Sequence, residues 1–159
     1  MAYATFILSD SVAEEAATAF SEHERRIRER LPGVQIRHRG GTSNRGVLTS
    51  GDVDLHVRTD PDSFEATRDA LCNLYEPLFF EAWHSGAAFF VAPGSTPAVE
   101  VALTAIGSVD DFHHGEAWDR IAADPELISR YNALKLAHES ASTDDYRAAK
   151  RAFFSENFG

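Results

Sequence analysis

The sequence predicts an α+β fold, an α/β-type sandwich in which a mixed β-sheet is flanked by helices. Three patterns carry that expectation. Short segments with period-two alternation lie between segments with helical periodicity. One of them, Asp52-Val53-Asp54-Leu55-His56-Val57, alternates cleanly and sends two aspartates and a histidine to one side. From residue 115 onward the pattern is helical throughout, which makes a helical C-terminal part.

The first helix is expected over 11–31, capped by Asp10 or Ser11, with Val12, Ala16, Ala19, Phe20, Ile27 and Leu31 as its apolar stripe. Its charged run, His23 to Arg30, reads as a solvated face. Pro32-Gly33 stops it, and Val34 and Ile36 mark a strand over 34–39. The stretch 40–51, GGTSNRGVLTSG, has no hydrophobic period and reads as a loop before the strand 52–57. A second helix is expected from Asp62 or Ser63 to Leu78, with Phe64, Leu71, Leu74 and Leu78 facing inward. Three further strands are expected at 79–84, 87–92 and 98–104. In the last of these Val99, Val101 and Leu103 share one face, leaving Glu100 on the other with Ala98 and Ala102. Pro125 opens a helix over 125–138, and Asp144 lies near the start of the last one.

Composition bounds the function. With 159 residues, 43% of them hydrophobic and 25% charged, the chain is expected to form one globular domain over 1–159. A formal net charge of -10 favours a small substrate or a metal-nucleotide over extended nucleic-acid binding. The lone Cys72 excludes an internal disulfide framework and a cysteine-based zinc site, and it reads as a buried, inert thiol. The N-terminal MAYATFILSD lacks a basic leader pattern, and no run approaches 18 apolar residues, so a cytoplasmic protein without a membrane span is expected.

The chemistry is expected at Asp52 and Asp54. In a strand their Cα atoms stand about 6.6 Å apart on one face, and two acids that close repel unless a cation lies between them. Magnesium suits such a pair because it takes hard oxygen ligands and bridges carboxylates to phosphates. Glu100, opposite an apolar face, is the third acid expected in the cluster. His56 reads as a surface or internally satisfied histidine, His113-His114 as loop surface, and Trp83 and Trp118 as core or interface. Gly40-Gly41-Thr42-Ser43, about ten residues before the aspartates, supplies small residues that let backbone amides and hydroxyls approach a phosphate.

A Gly-Gly loop followed after about ten residues by Asp-x-Asp resembles the signature of the DNA polymerase β-like nucleotidyltransferases. Within that superfamily HRGGTSNRG resembles the His-x-Gly-Ser-Thr-Ser loop of the GrpB-like proteins, and ADPELISRYNALKLA with DDYRAAKRAFF resembles their C-terminal helices. The resemblance spans about 34–158 and implies a nucleotidyltransferase-like fold. It also implies phosphate contacts from Gly41, Thr42 and Ser43, metal ligation and catalysis by Asp52, Asp54 and Glu100, and Lys135 reaching towards the phosphates. The chain departs from the family where Arg45-Gly46-Val47 replaces a Pro-Gly-Leu element and Ser50-Gly51 replaces Lys-Pro. Arg45 is then the candidate replacement cation. Asp54 with His56 is an alternative register for the motif.

The resulting expectation is a magnesium-dependent nucleotidyltransferase that moves a nucleoside monophosphate from a nucleoside triphosphate to an unidentified hydroxyl or phosphate acceptor. A non-catalytic nucleotide- or partner-binding module on the same fold is the alternative, and a homodimer is left open.

Overall fold

The structure, a computed structural model, describes residues 4–159. The expectation about the N-terminal stretch falls partly on residues 1–3, outside the described residues.

Five strands form the main sheet: β2 (Gln35–Arg39), β4 (Val53–Thr59), β7 (Val99–Ala105), β6 (Ala87–Val91) and β5 (Glu76–Leu78), in that spatial order. β4 and β7 run parallel at the centre, and every other pairing is antiparallel, so the sheet is mixed. A two-stranded ribbon of β1 (Ile7–Leu8) and β3 (Leu48–Thr49) stands beside it.

Alternation determines which layer covers each face. Val53, Leu55, Val57, Val99, Val101 and Leu103 point to one side and are almost fully buried. There α1 (Ala13–Arg30) and α2 (Phe64–Cys72) cover them with Ala16, Ala19, Ile27, Phe64 and Leu71. Burying side chains of this size stabilises by about 1.5–3 kcal/mol each, so this face anchors the sheet. Asp54, His56, Arg58, Glu100 and Thr104 leave by the opposite face. α3 (Val109–His114) covers its far end, and α4 (Glu116–Ala123), α5 (Pro125–Ala137) and α6 (Thr143–Phe158) build a second core around Trp118, Ile121, Tyr131 and Phe153. Asp124 caps α5, accepting from Glu126 N at 2.9 Å, with Pro125 in the first turn. Ser142 caps α6.

Several local expectations give way. α1 begins at Ala13 after a 3-10 turn, because Asp10 accepts from Gly46 N and Ser11 donates to Leu8 O instead of capping it. His23 is buried within the charged run, its Nδ1 2.9 Å from the Tyr75 hydroxyl. α2 ends at Cys72, not Leu78. Pro77 clashes with a continuing helix and pushes Glu76 to extended backbone, so 76–78 becomes a strand. The expected strand at 79–84 is consequently a turn, and Cys72 at the helix end is exposed. Helical structure also starts before 115: His113 and His114 belong to α3 and are half-buried. Among the described residues no helix is long and apolar enough to cross a membrane.

Candidate functional site

The acid cluster arises from strand register. Asp54 on β4 and Glu100 on β7 are direct partners across the parallel pair, with Val53 and Val99 buried behind them. Asp52 lies just before β4, and its charge pushes up the carboxyl pKa of both Asp54 and Glu100. Burial, then the charges of Glu100 and Asp52, push Asp54 up to about 7 against the pull of Lys150 and Lys135. Burial and Asp52 likewise raise Glu100, opposed by Lys150 and Arg147. Two neighbouring acids held away from ionisation in this way form a site that gains from a cation. Among the described residues, no group of three His, Cys, Asp or Glu side chains converges closely enough to hold an ion as it stands.

The loop after β2 folds onto this pair. Gly40 has φ of 75°, and a Cβ there would run into the Asp54 carboxylate, so only glycine lets the backbone approach so closely. Gly41, Thr42 and Ser43 form a 3-10 turn. Their hydroxyls are engaged within the loop: Thr42 donates to Asp52 O at 2.9 Å, and Ser43 donates to Gly40 O at 2.7 Å. Because the single Thr42 proton goes to Asp52 O, His38 Nε2, 2.9 Å away, must be the donor to Thr42. His38 therefore links the phosphate-type loop to the acid strand, and the ring of Phe20 stacks on it at 5.2 Å. The hydroxyls hold the loop's shape, with Gly40, Gly41 and Thr42 buried and the Gly40 and Gly41 carbonyls accepting from Ser43 N and Asn44 N.

Of the two expected cations, Arg45 acts elsewhere, whereas Lys135 stays within electrostatic reach of Asp54 and Asp52. Arg45 is exposed, and its charge acts on Asp10. Lys135 is buried, donates to Leu48 O and lies 4.5 Å from the Tyr131 ring centroid. Burial, with the charge of Lys150, lowers it to about 7. Lys150 is the cation that sequence reasoning missed. Tyr131 and Tyr146, then Asp54 and Glu100, raise its pKa against the cost of burial, which keeps it charged. The signal was present as a repeat: Tyr131-x-x-x-Lys135 recurs one helix later as Tyr146-x-x-x-Lys150. A spacing of four puts each pair on one face of its helix.

Beyond the acids, the same sheet face carries a buried polar chain. His56 Nε2 is 2.7 Å from Thr104 Oγ1, and Thr104 donates to Asp111 at 2.8 Å. Arg58 grips both Asp111 oxygens, at 2.6 and 2.7 Å. Burial lowers His56 to about 3 and His114 to about 4, so both rings are neutral near pH 7. Burial alone would raise Asp111, but Arg58, Gly107 N and Thr104 hold it well below the usual range. This chain docks α3 onto the sheet and partners His56 at Nε2, while its buried Nδ1 has no hydrogen-bond partner among the described residues.

A family model described as GrpB protein matches residues 11–158. The chain belongs to the GrpB family. A relative by sequence, a UPF0157 protein of Vibrio cholerae serotype O1, is 26% identical over 154 residues, covering 97% of this chain and 81% of that protein. The crystal structure of GrpB from Enterococcus faecalis is similar with a TM-score of 0.62 and 14% identity, over 91% of this chain and 95% of that one. Cid1 poly(U) polymerase bound to magnesium and 3'-dATP is similar with a TM-score of 0.51 and 14% identity, over 77% of this chain and 40% of that one. A cytoplasmic RNA terminal U-transferase gives 0.53 and 15%, over 82% of this chain and 39% of that one. At these identities the likeness establishes a nucleotidyltransferase-like fold for this GrpB protein, which spans only a minor part of the two larger enzymes.

Proposed function

We propose that this GrpB protein is a nucleotidyltransferase that transfers a nucleoside monophosphate from a nucleoside triphosphate to a hydroxyl or phosphate acceptor. The observation that carries the reading is the side-by-side placement of Asp54 and Glu100 beneath the glycine loop, on a nucleotidyltransferase-like sheet.

Asp54, Glu100 and Asp52 offer hard oxygen donors of the kind magnesium takes, and a divalent cation relieves the repulsion that raises Asp54 and Glu100. When bound, magnesium neutralises charge on the phosphates and on the attacking oxygen. The chain supplies the rest. The backbone of 40–43 cradles phosphate oxygens, with Thr42 and Ser43 fixing its shape and His38 tying it to Asp52 O. Lys150 places a positive charge beside the acids, where charge develops as pyrophosphate leaves. The acceptor oxygen forms the new bond to the α-phosphorus, the bridging bond to the β-phosphate breaks, and the acceptor proton passes to a carboxylate. Asp54 and Glu100, side by side at this point, are the carboxylates at hand to take it.

One observation favours the non-catalytic module: as they stand, no three acids among the described residues converge on one point. The two readings separate on pyrophosphate. Magnesium-dependent release of pyrophosphate from any of the four nucleoside triphosphates, lost in Glu100→Gln, supports the enzyme. Nucleotide binding without release supports the module.

A further inference from the structure

We propose that Phe79 and Arg147 form the surface on which the nucleobase stacks, beside the carboxylates that take its phosphates. The inference rests on the nucleotide reading above and assigns the base a place in it.

Phe79 is held at φ 50° and ψ 46°, in the left-handed region. A bulky residue rarely takes that conformation, and such strain persists only where its surroundings enforce it. Its ring meets Phe89 edge-on at 6.4 Å, and the Arg147 guanidinium lies 4.8 Å from its centroid. Both Phe79 and Arg147 are half-buried, so the pair reaches solvent instead of filling a core.

The position follows from register. Phe89 pairs with Ala102, two residues beyond Glu100 on the same strand and the same face. Arg147 and Lys150 are three residues apart on α6 and share one helix face. Arg147 lowers the pKa of Glu100, and Lys150 lowers those of Glu100 and Asp54. One turn of α6 thus links the Phe79 ring to the acid pair, with the planar cation of Arg147 against the ring and the point charge of Lys150 acting on the acids. A guanidinium over an aromatic ring offers a flat, positively charged surface that attracts the π-face of a heteroaromatic ring. Such stacking tolerates any base, so the site is expected to bind all four nucleotides within a narrow range of affinities.

The test compares magnesium with each of the four nucleoside triphosphates against magnesium with inorganic tripolyphosphate, by calorimetry. The variants are Phe79→Gly, which accepts a positive φ without strain, Arg147→Gln, and Phe79→Tyr, which keeps a ring. Phe79→Gly is expected to weaken every nucleotide by about 5- to 150-fold and to leave tripolyphosphate unchanged. Arg147→Gln is expected to weaken nucleotides more than tripolyphosphate, and Phe79→Tyr to bind like wild type. If the variants bind nucleotides as wild type does, or lose both ligands equally, the stacking surface is refuted while the phosphate site stands. If wild type binds neither ligand, the nucleotide reading falls and this inference with it.

Discussion

Asp54 and Glu100 are register partners on the two parallel central strands, so their carboxyl groups leave the same face of the sheet side by side. Neighbouring strands lie about 4.8 Å apart, close enough for each charge to disfavour the other. The apo site therefore stores an unfavourable interaction that a proton or a cation removes.

That interaction fixes a pH dependence. The folded-state pKa of Asp54, about 7, lies above its ordinary value of 3.8. The folded protein keeps a proton that the unfolded chain releases across that window, so this group's contribution to stability falls as pH rises from about 4 to 7. Asp54→Asn removes the penalty. Above pH 7 and without divalent cations the variant is expected to be more stable than wild type by about 1–3 kcal/mol, a gain that vanishes towards pH 4. Thermal melts across this range check it. A stability difference that is constant with pH contradicts it.

Gly40 and Gly46 share a φ of 75° but differ in surroundings. A Cβ at Gly46 meets open space, whereas one at Gly40 meets the Asp54 carboxylate. Gly46→Ala should cost about 1 kcal/mol, the strain of the left-handed backbone alone. Gly40→Ala should cost more and should also abolish the nucleotide response by displacing Asp54. Equal effects of the two substitutions on stability and on ligand binding would show that the loop does not pack on the acid.

The two lysines should separate cleanly. Lys135 is buried against Tyr131 and bonded to Leu48 O, so Lys135→Met mainly changes stability. Lys150 faces the acids, so Lys150→Met should weaken nucleotide binding about tenfold or more with a smaller effect on melting, as expected when a charged partner of a phosphate is lost. Calorimetry with a nucleoside triphosphate and melting of the two variants distinguish the roles. A larger binding loss in Lys135→Met reverses the assignment.

The central strands were legible because Val53, Leu55 and Val57 alternate with polar residues, and burial of one face makes that alternation a strong signal. The same rule placed Glu100 on its face. The α2–β5 junction was misread because Leu74 and Leu78 continue a helical spacing, while Pro77 acts through backbone sterics that periodicity does not register. His56, expected at the surface or internally satisfied, is buried with a partner at Nε2 and none at Nδ1 among the described residues. Its partners, Thr104 and Asp111, lie about fifty residues away and meet it only through the β4–β7 pairing. Lys150 and the Phe79–Arg147 pair depend on how α6 crosses the sheet, a tertiary fact with no local signature. Arg45 has the loop position of a phosphate-binding cation, yet it is exposed and its charge acts on Asp10.

The most direct measurement is thermal melting of wild type and Asp54→Asn, with and without magnesium and each nucleoside triphosphate, at constant ionic strength. Magnesium that binds only the folded protein should stabilise wild type by about 2.7 kcal/mol at a hundredfold excess over its dissociation constant. A nucleotide should add a further shift, because phosphate oxygens complete the coordination. Asp54→Asn should lose most of both shifts. Equal shifts in the two proteins, or no shift in either, would contradict a metal-nucleotide site at Asp54 and Glu100.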